Sequence, residues 1–186
     1  PVEARGHGGF MGNWIELSID NGHIGVDEYG RTADLNAAGD RPRKITGPAD
    51  WVERYGDFGF TNALGGNVGE NPWQNITMSP HFPSTGQVIA ELYPQSGGKN
   101  LDGVFAMDVE TVSALLEFAG PVTVGGRDEP LTSENAVEFL LHDQYVAYSF
   151  DDRIDRIESA TRQALDQILA GELPPPNVVA NRIGPM

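Results

Sequence analysis

The chain has 186 residues, with 27 acidic against 12 basic side chains, a formal net charge of −15 and no cysteine. A field this negative repels nucleic acid and anionic lipid headgroups, and the missing thiols exclude disulfides and thiolate metal sites. No apolar run reaches the roughly 18 residues of a membrane span, so this segment inserts into no bilayer as a helix.

The stretch "RGHGGFMGN" (residues 5–13) concentrates glycine beside Arg5 and His7. It reads in two ways. Consecutive backbone N–H groups could cradle an oxyanion, with Arg5 adding a charge-assisted fork. Alternatively, the glycines shape a tight turn at a sheet edge. The stretch lacks the ending of a P-loop and precedes a strand, so it is no dinucleotide fingerprint either.

Trp14 to Ile19 alternates, with Ile15, Leu17 and Ile19 on one face, and Asn21-Gly22 separates it from His23 to Val26. Asn-Gly between two such runs predicts a β-hairpin. Residues 29–47 read as a loop. Four of the twelve cations, Arg31, Arg41, Arg43 and Lys44, fall in it. In so acidic a chain this is the natural place for an anion, unless the arginines only pair with Asp34 and Asp40.

Pro48 to Tyr55 predicts a short helix stopped at Gly56. Residues 56–82, rich in Gly, Asn, Pro and aromatics, predict a long loop, and Trp51, Trp73 and Phe82 are expected to be exposed. Ser84 predicts the cap of a helix to about Tyr93. Ser84 and Thr85 could also offer hydroxyls to an anion. The four histidines show no zinc-ligand spacing.

Val104 to Met107 is a short continuous apolar run, the pattern of a strand buried on both faces. Asp108 predicts a helix N-cap, Gly120 its end, and Val122 to Val124 the next strand. Strand, helix and strand over 103–124 predict a parallel βαβ unit. Ser133 predicts a cap for a helix through His142. A long amphipathic helix is expected from Asp151 or Asp152 to Ala170. Asp20, Asp27, Asp102 and Asp108 fall near strand ends, where Mg²⁺ could sit with a phosphate. The fold class is α/β, a mixed sheet covered by helices. One domain is expected over residues 1–172, with an extended Pro-rich tail over 173–186. A start at Pro1 reads as a processed product or an excised piece.

"RGHGGFMGNWIELSIDNGHI", "MSPHFPSTGQ" and "LDGVFAMDVETVSALLEFAGPVTV", in that order, resemble a family of uncharacterised, mainly actinobacterial envelope proteins. The resemblance covers residues 3–175. It implies an extracytoplasmic domain anchored by a transmembrane helix outside this chain, with further sequence beyond "LPPP". That family is similar, more distantly, to the LytR-CpsA-Psr phosphotransferases, which move glycopolymers from polyprenyl-pyrophosphate carriers using arginines, aspartates and Mg²⁺. The similarity implies their α-β-α fold. Their Arg-x-Asp-Thr motif is missing here: Gly12 and Asn13 stand in its place, and "RTAD" at Arg31 replaces the second arginine's surroundings.

Two expectations follow. In the first, the domain binds, or binds and transfers, a phosphate-linked glycan or polyprenyl-pyrophosphate lipid. Arg5, Gly8, Gly9, Asn13, Arg31, Arg41 and Arg43 would hold the anion, and Asp20 or Asp34 an Mg²⁺ ion. In the second, it is a non-catalytic scaffold that contacts other envelope proteins.

Overall fold

The computed structural model describes residues 6, 9–21, 23–39, 43–56, 72–170 and 175–183. The chain contains both helix and strand and divides into two compact units, Val2–Ala106 and Met107–Met186.

In the first unit the Asn-Gly signal is realised. β1 (Asn13–Asp20) and β2 (His23–Arg31) pair antiparallel, and Asn21 takes the positive φ, 51°, that such a turn requires. The register runs from Asn13 opposite Arg31 to Asp20 opposite His23, with a bulge between Glu16 and Leu17. The expected loop at 29–47 is partly regular. β2 continues to Arg31 and turns directly into α1 (Thr32–Ala37). The Thr32 N–H and hydroxyl bond back to the carbonyls of Gly12 and Met11, which fixes this junction against the entry to β1.

α2 (Ala49–Tyr55) forms where Pro48 predicts it. α3 (Phe82–Leu92) starts three residues early, because the cap is His81 and not Ser84: the His81 ring accepts from the Ser84 N–H. Leu35, Ile45, Trp51, Trp73, Ile76, Val88, Leu92 and Tyr93 build one core. Trp51 and Trp73 are both 1% exposed, which corrects their expected exposure. Each indole N–H finds an internal acceptor, Thr85 Oγ1 for Trp51 and Ser96 Oγ for Trp73, so both large rings are buried with their polar atoms satisfied. Phe82 is half-buried.

The second unit holds α4 (Val109–Ala119), α5 (Ala136–Glu138), a π-helical turn (Phe139–Asp143), α6 (Gln144–Ala147), α7 (Phe150–Ala170) and α8 (Pro176–Ile183). Asp108 caps α4 as expected: its Oδ1 accepts from the Thr111 N–H at 2.8 Å, which holds the carboxyl below the usual range. Gly120 closes the helix. The core gathers Leu116, Val122, Val124, Leu131, Ala136, Phe139 and Ala160.

The sheet is smaller than expected. Among the described residues it has two strands, so the mixed sheet and the parallel βαβ unit do not form. Val104 to Met107 is irregular, with Phe105 85% exposed. Val122 makes only an antiparallel bridge with Leu131. An apolar run states that side chains seek cover; it does not name the strand that pairs with it. Two further expectations shift. The helix awaited at Ser133 begins at Ala136, and Pro176–Ile183 is helical where an extended tail is expected, with Pro176 at the first turn.

Candidate functional site

The expected anion residues separate into distinct settings. Arg5, Gly8 and Arg41 lie outside the described residues. Asn13 and Arg31 come together at the open end of the hairpin. They are register partners, so their side chains stand on one face with Cβ atoms about 5 Å apart. The Arg31 side chain is 44% exposed, and its Nε lies 4.0 Å from Asp34 Oδ2. Gly12, next to Asn13, faces open space. The Arg31 carbonyl accepts from Trp14 Nε1 at 3.2 Å, and Trp14 packs edge-on to Tyr93, 5.3 Å between centroids. The backbone that carries Arg31 is therefore tied to the core while the guanidinium remains accessible.

Arg43 is placed otherwise. It is 2% exposed, and its guanidinium donates to the carbonyls of Leu35 (2.8 Å), Asn36 (3.1 Å), Ala38 and Gln95 (3.5 Å). It satisfies the carbonyls that α1 leaves open at its C-terminus. This buried arginine stands apart from the exposed face of Arg31.

Gly9 is buried, and its carbonyl accepts from Thr77 Oγ1 at 2.7 Å. A Cβ on Gly6 would lie 2.4 Å from the backbone at Ser79 and Pro80. Gly6 thus serves a close chain crossing, which only glycine permits.

The two metal candidates do not meet. Asp34 takes the Arg31 N–H at 3.0 Å. Asp20 sits seven residues along β1 from Asn13, roughly 23 Å at about 3.3 Å per residue. It accepts instead from Asn21 Nδ2. Asp20 and Asp34 therefore do not form one Mg²⁺ site, and among the described residues no group of three His, Cys, Asp or Glu is arranged to hold a metal. Ser84 and Thr85 are buried, the first bonded to His81 Nδ1 and the second to Trp51, so neither offers a hydroxyl outward.

One cluster escapes sequence reading. Glu16, 6% exposed, receives Tyr93 Oη at 2.8 Å and Lys99 Nζ at 2.7 Å. Lys99 also meets Asp27 at 2.9 Å, and Asp27 accepts from Ser18. The Lys99 hydrogen bonds hold both carboxyls below their usual range and raise the lysine above its own. Burial, and then Glu16, push the Tyr93 phenol up. These residues stand 77 and 83 positions apart in sequence at their extremes, Glu16 to Tyr93 and Glu16 to Lys99, and no local signal joins them. The cluster locks the hairpin to the segment after α3. Asp27 is thereby a partner for lysine rather than for a cation from solution.

A family model described as a protein of unknown function, DUF4012, matches residues 1–145. No curated protein and no solved structure matches the chain.

Proposed function

The chain belongs to the DUF4012 family, and from the geometry at the open end of its hairpin we propose that it is an extracytoplasmic envelope domain that binds a phosphate-linked glycan or a polyprenyl-pyrophosphate lipid. One observation carries this reading. Half-buried Asn13 and exposed Arg31 share one face beside the open side of Gly12, in a chain where acidic groups outnumber basic ones. A guanidinium offers a fork of donors to phosphate oxygens, and the Asn amide adds a neutral donor beside it. The resemblance to actinobacterial envelope proteins and to the LytR-CpsA-Psr enzymes supports the ligand class, the location and a membrane anchor outside this chain. Of the strand–helix–strand pattern that suggests their α-β-α fold, the structure contains the helix, α4. Arg43 takes no part in binding in this reading, and Mg²⁺ would arrive with the pyrophosphate rather than on a preformed protein site. Transfer chemistry is not part of the proposal, since the aspartate of the related motif is missing.

Calorimetry with a short-chain polyprenyl pyrophosphate, with and without Mg²⁺, tests it. Saturable binding that Arg31→Ala weakens supports the reading. No heat at millimolar ligand removes it.

A second reading rests on a different observation. Leu17, Ile19 and Val26 are 44%, 65% and 37% exposed on one face of the hairpin. Among the described residues neither outer edge of the hairpin is paired. A strand from another envelope protein could add to such an edge and cover those side chains. Leu17→Thr with Ile19→Thr should then abolish capture of that protein at unchanged melting temperature. Equal capture would count against it.

A further inference from the structure

The second unit contains a cation in an unusual position. The Arg156 guanidinium, on α7, lies over the Tyr148 ring, 4.8 Å from its centroid. Its Nη1 sits only 2.6 Å from where a Cβ on Gly126 would be, and 3.0 Å from one on Gly125. Gly126 has a φ of 78°, and Arg127 N closes the turn onto the Val124 carbonyl at 3.1 Å. Any side chain at Gly126 would push the guanidinium away, so the turn and Arg156 are matched to each other. Next along the chain, Arg127 lies 4.9 Å over the Phe139 ring, and Phe139 meets Tyr148 edge-on at 6.3 Å. The two aromatic rings thus hold two guanidinium groups to one turn.

Arg156 finds no acceptor there. Its Nε is buried without a hydrogen-bond partner among the described residues, although the chain has 27 carboxylates. Arg127 is only partly engaged: its Nε donates to the Glu129 carbonyl at 2.9 Å, and its Nη2 is 3.9 Å from a Glu129 carboxylate that is 82% exposed. Gly125 and Gly126 are exposed, and among the described residues no backbone carbonyl accepts from their N–H groups, which face solvent. The cluster is therefore rich in donors and poor in acceptors. Gly125 and Gly126 are exposed and Arg156 is half-buried, so the turn amides and the outer face of the guanidinium are the donors open to an oxyanion.

We propose that the Gly125–Gly126 turn, Arg127 and Arg156 form an oxyanion site that takes a phosphate group. A phosphate offers more acceptor oxygens than a carboxylate, and its charge meets two guanidinium groups. The site lies in Met107–Met186 and does not depend on the reading given for Arg31.

The test titrates inorganic phosphate, and separately glucose 1-phosphate, into ¹⁵N-labelled full chain and follows the amides of Gly125, Gly126 and Arg127. The expected result is saturable movement of these amides, weakened by about tenfold in Arg156→Gln, the loss of one charge-assisted contact. Tighter binding of the ester would identify a sugar phosphate as the source, and equal binding the free ion. Arg127→Gln, which leaves the Tyr148 contact intact, should weaken binding in the same direction. No saturable shift at millimolar phosphate, or equal affinity in both variants and the parent chain, would overturn the proposal and leave Arg156 as a packing residue.

Discussion

Lys99 Nζ lies 2.7 Å from a Glu16 carboxylate that is all but removed from solvent. The pair closes a chain of contacts from the hairpin to the end of α3. Lys99 is itself exposed, so the weight of the cluster falls on the buried side, where Tyr93 Oη donates to Glu16. Tyr93→Phe removes that donor and leaves the carboxylate with one partner fewer. A hydrogen bond to a charged group contributes about 1.5–3 kcal/mol. The variant should lose close to the lower figure, visible as a melting temperature reduced by about 3–6 °C. Unchanged melting would mean that Glu16 is solvated in solution.

The same cluster sets a pH dependence. Glu16 and Asp27 have lowered pKa values in the folded chain. Their contribution is present above the unfolded values, about 4.3 and 3.9, and is lost as pH falls through the folded ones. Lys99 and Tyr93 are raised. Their contribution is complete below about 10 and is lost as pH rises through their folded values. Stability should thus hold between about pH 5 and pH 9 and fall on either side. Glu16→Gln should flatten the acid limb of a melting-temperature profile. A limb of the same slope in the variant would assign the acid loss to other carboxylates.

Arg43→Lys separates architecture from binding. A lysine keeps the charge but cannot reach several carbonyls at once, as the guanidinium does at the end of α1. The expected cost is about 2–4 kcal/mol, from two or more charge-assisted bonds. Chemical denaturation would measure it. A loss below about 0.5 kcal/mol, the range of ordinary surface changes, would show that α1 does not need this cap.

The parts of this fold that were legible in the sequence are those governed by adjacent residues. Asn21-Gly22 specified the hairpin because the turn chemistry is local. Asp108 specified the start of α4 because its carboxylate reaches an N–H three residues on. Pairings across long distances were not legible. Val104 to Met107 carries a strand pattern without a partner strand, and Trp73 sits in a loop-like composition while filling the core. Arg43 and Arg31 look alike as cations in one basic stretch. Only the fold distinguishes the arginine that caps α1 from the one left on an exposed face. Glu16 offered no signal, since a single acidic residue in a strand usually faces water.

The most direct measurement is the affinity for a short-chain polyprenyl pyrophosphate of the parent chain, Arg31→Ala and Arg43→Lys, compared at a temperature where all three are folded. Arg31→Ala should bind about tenfold more weakly or worse, as loss of a guanidinium–phosphate contact requires, and Arg43→Lys should bind as the parent does. Parent-like affinity in Arg31→Ala, or weakened binding in Arg43→Lys alone, would contradict a binding site at the open end of the hairpin.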